Sequence, residues 1–168
     1  MVKNANPMIV AVGELLRRVG AQRDLSIHAD VDGLATTDAA VHGPVDLQLH
    51  LESVAGGVQV TGTVSAAWQG SCRRCLAPIE QSVQQAVREM FSPAPADDEI
   101  YPIRHSEADL TPMVHDCLIL ALPIAPLCAP DCAGPAPDSY PVHQPGTAEE
   151  EQPRDPRWAP LDALRTGQ

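Results

Sequence analysis

The 168 residues carry 44% hydrophobic and 20% charged side chains, enough apolar material for one packed domain with chain to spare. Trp68, Phe91, Tyr101, Tyr140 and Trp158 are too few and too scattered to form a surface on which successive bases stack, which excludes a single-strand nucleic-acid platform. The formal net charge of −11 excludes a general nucleic-acid coat; residues 1–91 hold seven Lys/Arg against nine Asp/Glu, and residues 92–168 hold four against thirteen, so a local basic patch is confined to the first half.

Residues 8–20 begin apolar and end in Glu14-Leu15-Leu16-Arg17-Arg18, which fits a short strand or a short helix. Leu25, Ile27, Ala29 and Val31 alternate with polar residues, as in a half-buried strand. Val45, Leu47, Leu49 and Leu51 alternate more cleanly, Gly56-Gly57 signals a hairpin turn, and Val58, Val60, Gly62 and Val64 continue the alternation as far as Trp68. These read as two long antiparallel partners in a fixed register, because a slip of one residue would turn every valine and leucine outward. In residues 79–91, Ile79, Val83, Val87 and Phe91 recur every fourth position; a helix face fits, with a polar-interrupted strand as the rival. Residues 92–107, with Pro93, Pro95, Asp97-Asp98-Glu99 and Pro102, read as a flexible acidic linker. The main helix starts with Thr111 as N-cap and Pro112 at the first helical position, carries an apolar stripe of Met113, Val114, Cys117, Leu118 and Ala121, and is ended by Pro123. Residues 134–168 are Pro-rich and acidic, including Glu149-Glu150-Glu151, and read as a largely disordered tail with a helical turn near 158–165 around Trp158, Leu161 and Leu164. The expected fold class is α+β: a single domain over 1–133, with an antiparallel sheet or partly closed barrel, one packed helix, and the tail.

The longest apolar run, Leu118–Leu127, contains two prolines and falls short of the roughly 20 residues of a membrane span. No secretory h-region is evident, so the expectation is a cytoplasmic protein, no membrane association, and cysteines that serve as metal ligands or core thiols rather than disulfides. No nucleophile motif or glycine-rich phosphate loop occurs, and no acid–base set supports catalysis or a small-molecule substrate.

Four of the five cysteines come in pairs: Cys72 and Cys75 as C-x2-C, Cys128 and Cys132 as C-x3-C. Two thiolates on a tight turn can point at one ion, and a second pair completes a zinc tetrahedron. Because 52 residues separate Cys75 from Cys128, a shared zinc would be a long-range clip. Two other readings stay open, unrelated small buried thiols and a Cys72–Cys75 redox dithiol. Cys117 falls on the helix's apolar stripe and reads as a core thiol. Arg73 and Arg74 between the first ligands would offset a site of formal charge −2, and with Arg17, Arg18, Arg23 and Arg88 they form a candidate basic patch for RNA or an acidic partner. The six histidines are dispersed and read as solvated.

Several segments resemble one family. They are Glu14–Arg18, Leu51-Glu52-Ser53-Val54, Gly57–Val64, Cys72-Arg73-Arg74-Cys75-Leu76 with Pro78, Leu118–Cys128 (LILALPIAPLC), and Asp155-Pro156-Arg157-Trp158 with Leu161 and Leu164. Together they resemble the YceD family, the large ribosomal RNA subunit accumulation proteins. The resemblance implies a bacterial or plastid factor, without established catalysis, that is needed for normal 23S rRNA levels. It also implies a link to the small, basic large-subunit ribosomal protein encoded beside many of its members. Many relatives add C-P-x-C-G after the second cysteine pair, where this chain reads Gly134-Pro135-Ala136-Pro137-Asp138. A metal held by C-terminal cysteines alone would lack half its ligands here, whereas a metal shared with the hairpin pair has all four. Two functions follow as expectations: a ribosome-assembly factor acting through rRNA, a large-subunit protein or both, and a zinc- or thiol-responsive binding module.

Overall fold

Alternation of apolar and polar residues sets the frame. The structure, a computed structural model, describes residues 6–136, 138, 139 and 157. Among them are β1 (Ile9–Ala11), a 3-10 turn (Leu15–Arg17), β2 (Gln22–Ala29), β3 (Ala39–Val54), β4 (Gly57–Ser71), β5 (Pro78–Ser92), β6 (Tyr101–Arg104), β7 (Glu107–Asp109) and α1 (Thr111–Ala121). The strands form one sheet in the order β1-β7-β6-β5-β4-β3-β2, curled into a half-barrel. The chain falls into two compact units, Met1–Cys132 and Ala133–Gln168. The tail expected over 134–168 lies almost wholly, and the turn expected near 158–165 wholly, outside the described residues.

The expected hairpin is present. β3 and β4 pair from Val54↔Gly57 outward, with a two-residue turn at Ala55-Gly56 where Gly56 has φ +95°. Leu47↔Val64, Leu49↔Gly62 and Leu51↔Val60 put the apolar set of both strands on one face. β2 adds Leu25 and Ile27 to that face opposite Leu49 and Leu47. The other face is polar and carries cross-strand pairs: His28 Nδ1 to Asp46 Oδ1 at 2.6 Å, Ser26 Oγ to Gln48 Oε1 at 2.7 Å, and His50 Nδ1 to Asp24 Oδ1 at 2.7 Å. Residues 8–20 use both of the forms anticipated for them, a strand and then a 3-10 turn.

Three expectations are corrected. Residues 79–91 are strand β5, not a helix. A spacing of four is a multiple of the strand period as well as close to the helix period, and the inward face simply alternates apolar with polar: Ile79, Gln81, Val83, Gln85, Val87. Residues 92–107 are not wholly a linker, because Tyr101 stacks on Phe91 (ring centroids 5.1 Å apart) and Ile103 is buried, which pins β6 to the sheet. The sheet is mixed rather than antiparallel, since β6 runs parallel to β5 at Phe91↔Tyr101 and Ser92↔Pro102. At the helix, Thr111 is the first helical residue, and the Asp109 carboxylate accepts its N–H at 2.9 Å.

Met113, Val114 and Leu118 of α1 fill the concave side together with Val12, Leu15, Leu47, Leu51, Val60 and Phe91. A second apolar cluster of Ala39, Trp68, Cys72, Ile79 and Leu122 lies at the far end of the β4–β5 hairpin, and it forms the bed of the site described next.

Candidate metal centre

The even-numbered residues of β4 face the core, and this periodicity carries past the strand end to Cys72, which is fully buried. The turn that follows is tight. Cys72 N–H donates to the Ala77 carbonyl at 2.8 Å, and Leu76 N–H donates to the Cys72 carbonyl at 2.9 Å. Leu76 takes a left-handed φ of +62°, which reverses the chain and leaves its side chain 74% exposed. The second pair follows α1: Leu122 packs beside Cys72, the Pro126 carbonyl accepts Arg73 N–H at 2.9 Å, and Cys132 N–H closes a turn on the Ala129 carbonyl at 3.1 Å.

These two turns bring four sulphurs together. The Sγ atoms of Cys72, Cys75, Cys128 and Cys132 all lie within 4.8 Å of one another, with Cys72–Cys132 at 3.7 Å and Cys75–Cys128 at 3.6 Å. All four are free thiols. Among the described residues this is the one cluster of three or more side chains of metal-ligating type. Tetrahedral zinc with bonds of about 2.3 Å has sulphur–sulphur edges of about 3.8 Å, so the donor set has the size and softness of a closed tetrathiolate site, and the four sulphurs are close enough to hold one ion. The contacts at 3.6 and 3.7 Å each join one cysteine of the first turn to one of the second.

Electrostatics point the same way. The Cys72 thiol is pulled down to about 6, chiefly by the backbone N–H of Cys75 and next by that of Cys128. Cys128 is pushed up to about 12 by hydrogen bonding with Cys132, Cys75 and Cys72. Four thiols this close cannot all ionise without a cation. Arg74 reaches across, its Nη1 donating to the Cys132 carbonyl at 2.9 Å and to the Pro130 carbonyl at 3.4 Å, so it fixes the second turn as well as supplying charge. That positioning role was not evident from the sequence, although an arginine between two ligands was the available signal. Cys117 lies half-buried against the core, where burial and then Glu89 push its thiol up.

The six arginines do not form one patch. Arg73 and Arg74 sit beside the sulphur cluster. Arg17 and Arg18 belong to the 3-10 turn that packs beside Ser53, Val54 and Gly57 at the opposite end of β4, across roughly 45 Å of extended backbone. Arg88 is opposite Thr61 on the polar face of β5. Arg23 shares the inward register of Leu25 and Ile27, and its Nη2 donates to the Ala11 carbonyl at 2.7 Å, which ties edge strand β2 to edge strand β1.

Residues 60–165 match the family profile described as "Large ribosomal RNA subunit accumulation protein YceD". An uncharacterized protein of Mycobacterium tuberculosis and another of Mycobacterium bovis are each 38% identical over 94% of this chain and 81% of the relative. An uncharacterized protein of Mycobacterium leprae is 30% identical over 93% of this chain and 76% of the relative. No solved structure matches the chain. With both cysteine pairs inside the matched region, and a likeness to the mycobacterial proteins that runs nearly end to end, the chain belongs to the YceD family.

Proposed function

We propose that this protein is a non-catalytic, cytoplasmic ribosome-assembly factor that supports 23S rRNA accumulation and large-subunit biogenesis. It acts through rRNA, a basic large-subunit ribosomal protein, or both, and it carries one structural zinc on Cys72, Cys75, Cys128 and Cys132. The family match over residues 60–165 carries the reading. The sulphur cluster supports the zinc, and Arg73 with Arg74 forms the cationic contact beside it. Arg17 and Arg18 form a second, separate contact at the other end of the hairpin. The chain's net charge of −11 suits a basic protein, whose charge an acidic escort screens before it reaches RNA.

Deletion of the gene tests the reading. The expected result is 23S rRNA that falls relative to 16S, with the tagged protein co-sedimenting with large-subunit precursors. Normal 23S levels and a protein found only free of ribosomal particles defeat it. Metal analysis tests the zinc: one equivalent in the native chain, lost in both Cys72→Ala and Cys128→Ala.

The alternative, a thiol-responsive binding module, draws on the exposure of Cys128. It predicts that thiol oxidants at low concentration release the metal and change partner binding, whereas a structural site protects all four thiols together.

A further inference from the structure

Among the described residues, β5 is paired on one side only for most of its length. The bond from Cys72 N–H to the Ala77 carbonyl makes these two a hydrogen-bonded pair at the end of the β4–β5 ladder. Hydrogen-bonded and non-hydrogen-bonded pairs alternate along an antiparallel ladder. With Gly70↔Ile79 and Trp68↔Gln81 in register, the odd-numbered residues of β5 therefore bond to β4. Glu80, Ser82, Gln84, Ala86, Arg88 and Met90 turn their N–H and C=O groups to the other edge. β6 meets that edge only at Phe91 and Ser92, and among the described residues no other strand pairs with it. Pro78, which has no N–H to offer, falls on the same unpaired edge, where a proline costs no ladder bond. A long open edge with neither lysine nor an interior proline is a template for another strand.

A second feature lies beside it. The groove between β5 and the end of α1 is lined by Gln85, Val87, Glu89, Cys117, Leu120 and Ala121. Leu120 is 87% exposed there, an apolar side chain placed where the inward residues of an added strand would rest. Glu89 stands in the same groove and, among the described residues, forms no ion pair.

We propose that the free edge of β5 takes up an extended, cationic segment of another protein as an added strand, with alternate side chains entering the groove against Leu120 and Glu89. Backbone bonds supply affinity, and the groove supplies selectivity. Charge selects this occupant: a second copy brings another −11 and is repelled, whereas a basic segment meets Glu89 in the groove, with the edge's one cation, Arg88, turned to the opposite, polar face and Glu80 farther along it. RNA has no strand to add. The inference rests on the preceding reading only for the source of the segment, a basic large-subunit protein.

The test uses the full chain and a synthetic peptide of alternating lysine and valine, about as long as β5. Saturable binding is expected by fluorescence anisotropy, with amide exchange slowed at residues 80–90, and no binding is expected of a glutamate–valine counterpart. Ala86→Pro removes an edge N–H without touching the β4 ladder and weakens binding about tenfold or more, the equivalent of one or two strand hydrogen bonds. Leu120→Ser, on an exposed side chain, weakens binding without lowering the melting temperature, and it carries the test if the proline variant does not fold. Equal binding by both variants, or protection elsewhere than on β5, overturns the proposal. So do edge amides already slow in the free monomer, or a dimer by sedimentation with β5 protected. If the peptide adds to β5 while deletion of the gene leaves 23S rRNA normal, the ribosomal reading fails and this one stands. If the deletion lowers 23S rRNA and the peptide ignores β5, the reverse holds.

Discussion

Replacing one cysteine of each pair with alanine separates metal binding from packing. In the proposed tetrathiolate site Cys72 and Cys128 are equivalent ligands, but the protein treats them differently. Cys72 is fully buried against Trp68, Ile79 and Leu122, and its sulphur accepts the backbone N–H groups of Cys75 and Cys128; Cys128 is exposed. With free metal at 1,000 times its dissociation constant, binding stabilises the folded chain by about 4 kcal/mol. For a unit of this size 1 kcal/mol moves the melting temperature by roughly 3–6 °C, so a chelator lowers that of the native chain by roughly 12–24 °C. Both variants lose this increment. In chelator, Cys128→Ala melts with the native apo-protein, since surface changes stay within about 0.5 kcal/mol. Cys72→Ala melts lower still, because it leaves two N–H groups without their acceptor and a gap in the apolar bed, together about 1–2 kcal/mol. The assay is a thermal melt by circular dichroism of the three proteins, with and without chelator. Equal melting of the two variants in chelator, or no chelator effect on the native chain, refutes the reasoning.

Arg23→Ala removes the tie to the Ala11 carbonyl and costs about 1–2 kcal/mol; hydrogen exchange at Ile9–Ala11 accelerates while β3 and β4 stay protected, and unchanged exchange in β1 counts against the tie. Tyr101 is pushed up to about 12, first by burial and then by its O–H bond to Asp116 at 3.0 Å. The folded state thus holds the phenolic proton more tightly than the unfolded one, so this stabilisation is complete below pH 10 and is lost between about 10 and 12. The 295 nm titration step that disappears in Tyr101→Phe should have its midpoint near 12; a midpoint at the usual phenol value contradicts the burial. Gly62 has φ +147°, and an added Cβ meets the Gln48 carbonyl oxygen of the partner strand. Gly62→Ala therefore forces β3 from β4 and costs about 3 kcal/mol or more, to be read as loss of soluble folded protein at 37 °C.

The hairpin of β3 and β4 was legible because each strand buries one face, so Leu47, Leu49 and Leu51 state their register directly. β5 was ambiguous for a physical reason. Its inner face alternates valine with glutamine, and Gln81 and Gln85 lie beyond the reach of the core, so its apolar residues fall at a spacing that both periods permit. β6 and β7 hide behind Pro93, Pro95 and the acidic run because short strands are held by a few tertiary contacts, here Tyr101 on Phe91, that have no local signature. The convergence of the cysteine pairs was one of three readings the spacing allowed, because thiolate chemistry says that two pairs can share an ion but not that a distant pair is brought near. The spread of the arginines along the hairpin was not legible, since nothing local says which end of a long hairpin an arginine occupies. Arg23 could have been read correctly, because it shares the parity of Leu25 and Ile27 and so points inward.

The two halves of the sulphur cluster also leave the ribosome at different times. Fifty-six residues separate Cys75 from Cys132. At roughly 5–20 residues per second that is a delay of roughly 3–11 s. Throughout this interval the first cysteine turn is a bare dithiol on a growing chain, open to oxidants and to adventitious copper. With the proposed ion as the clip, its supply and the reducing power available during translation govern how much of the chain closes correctly.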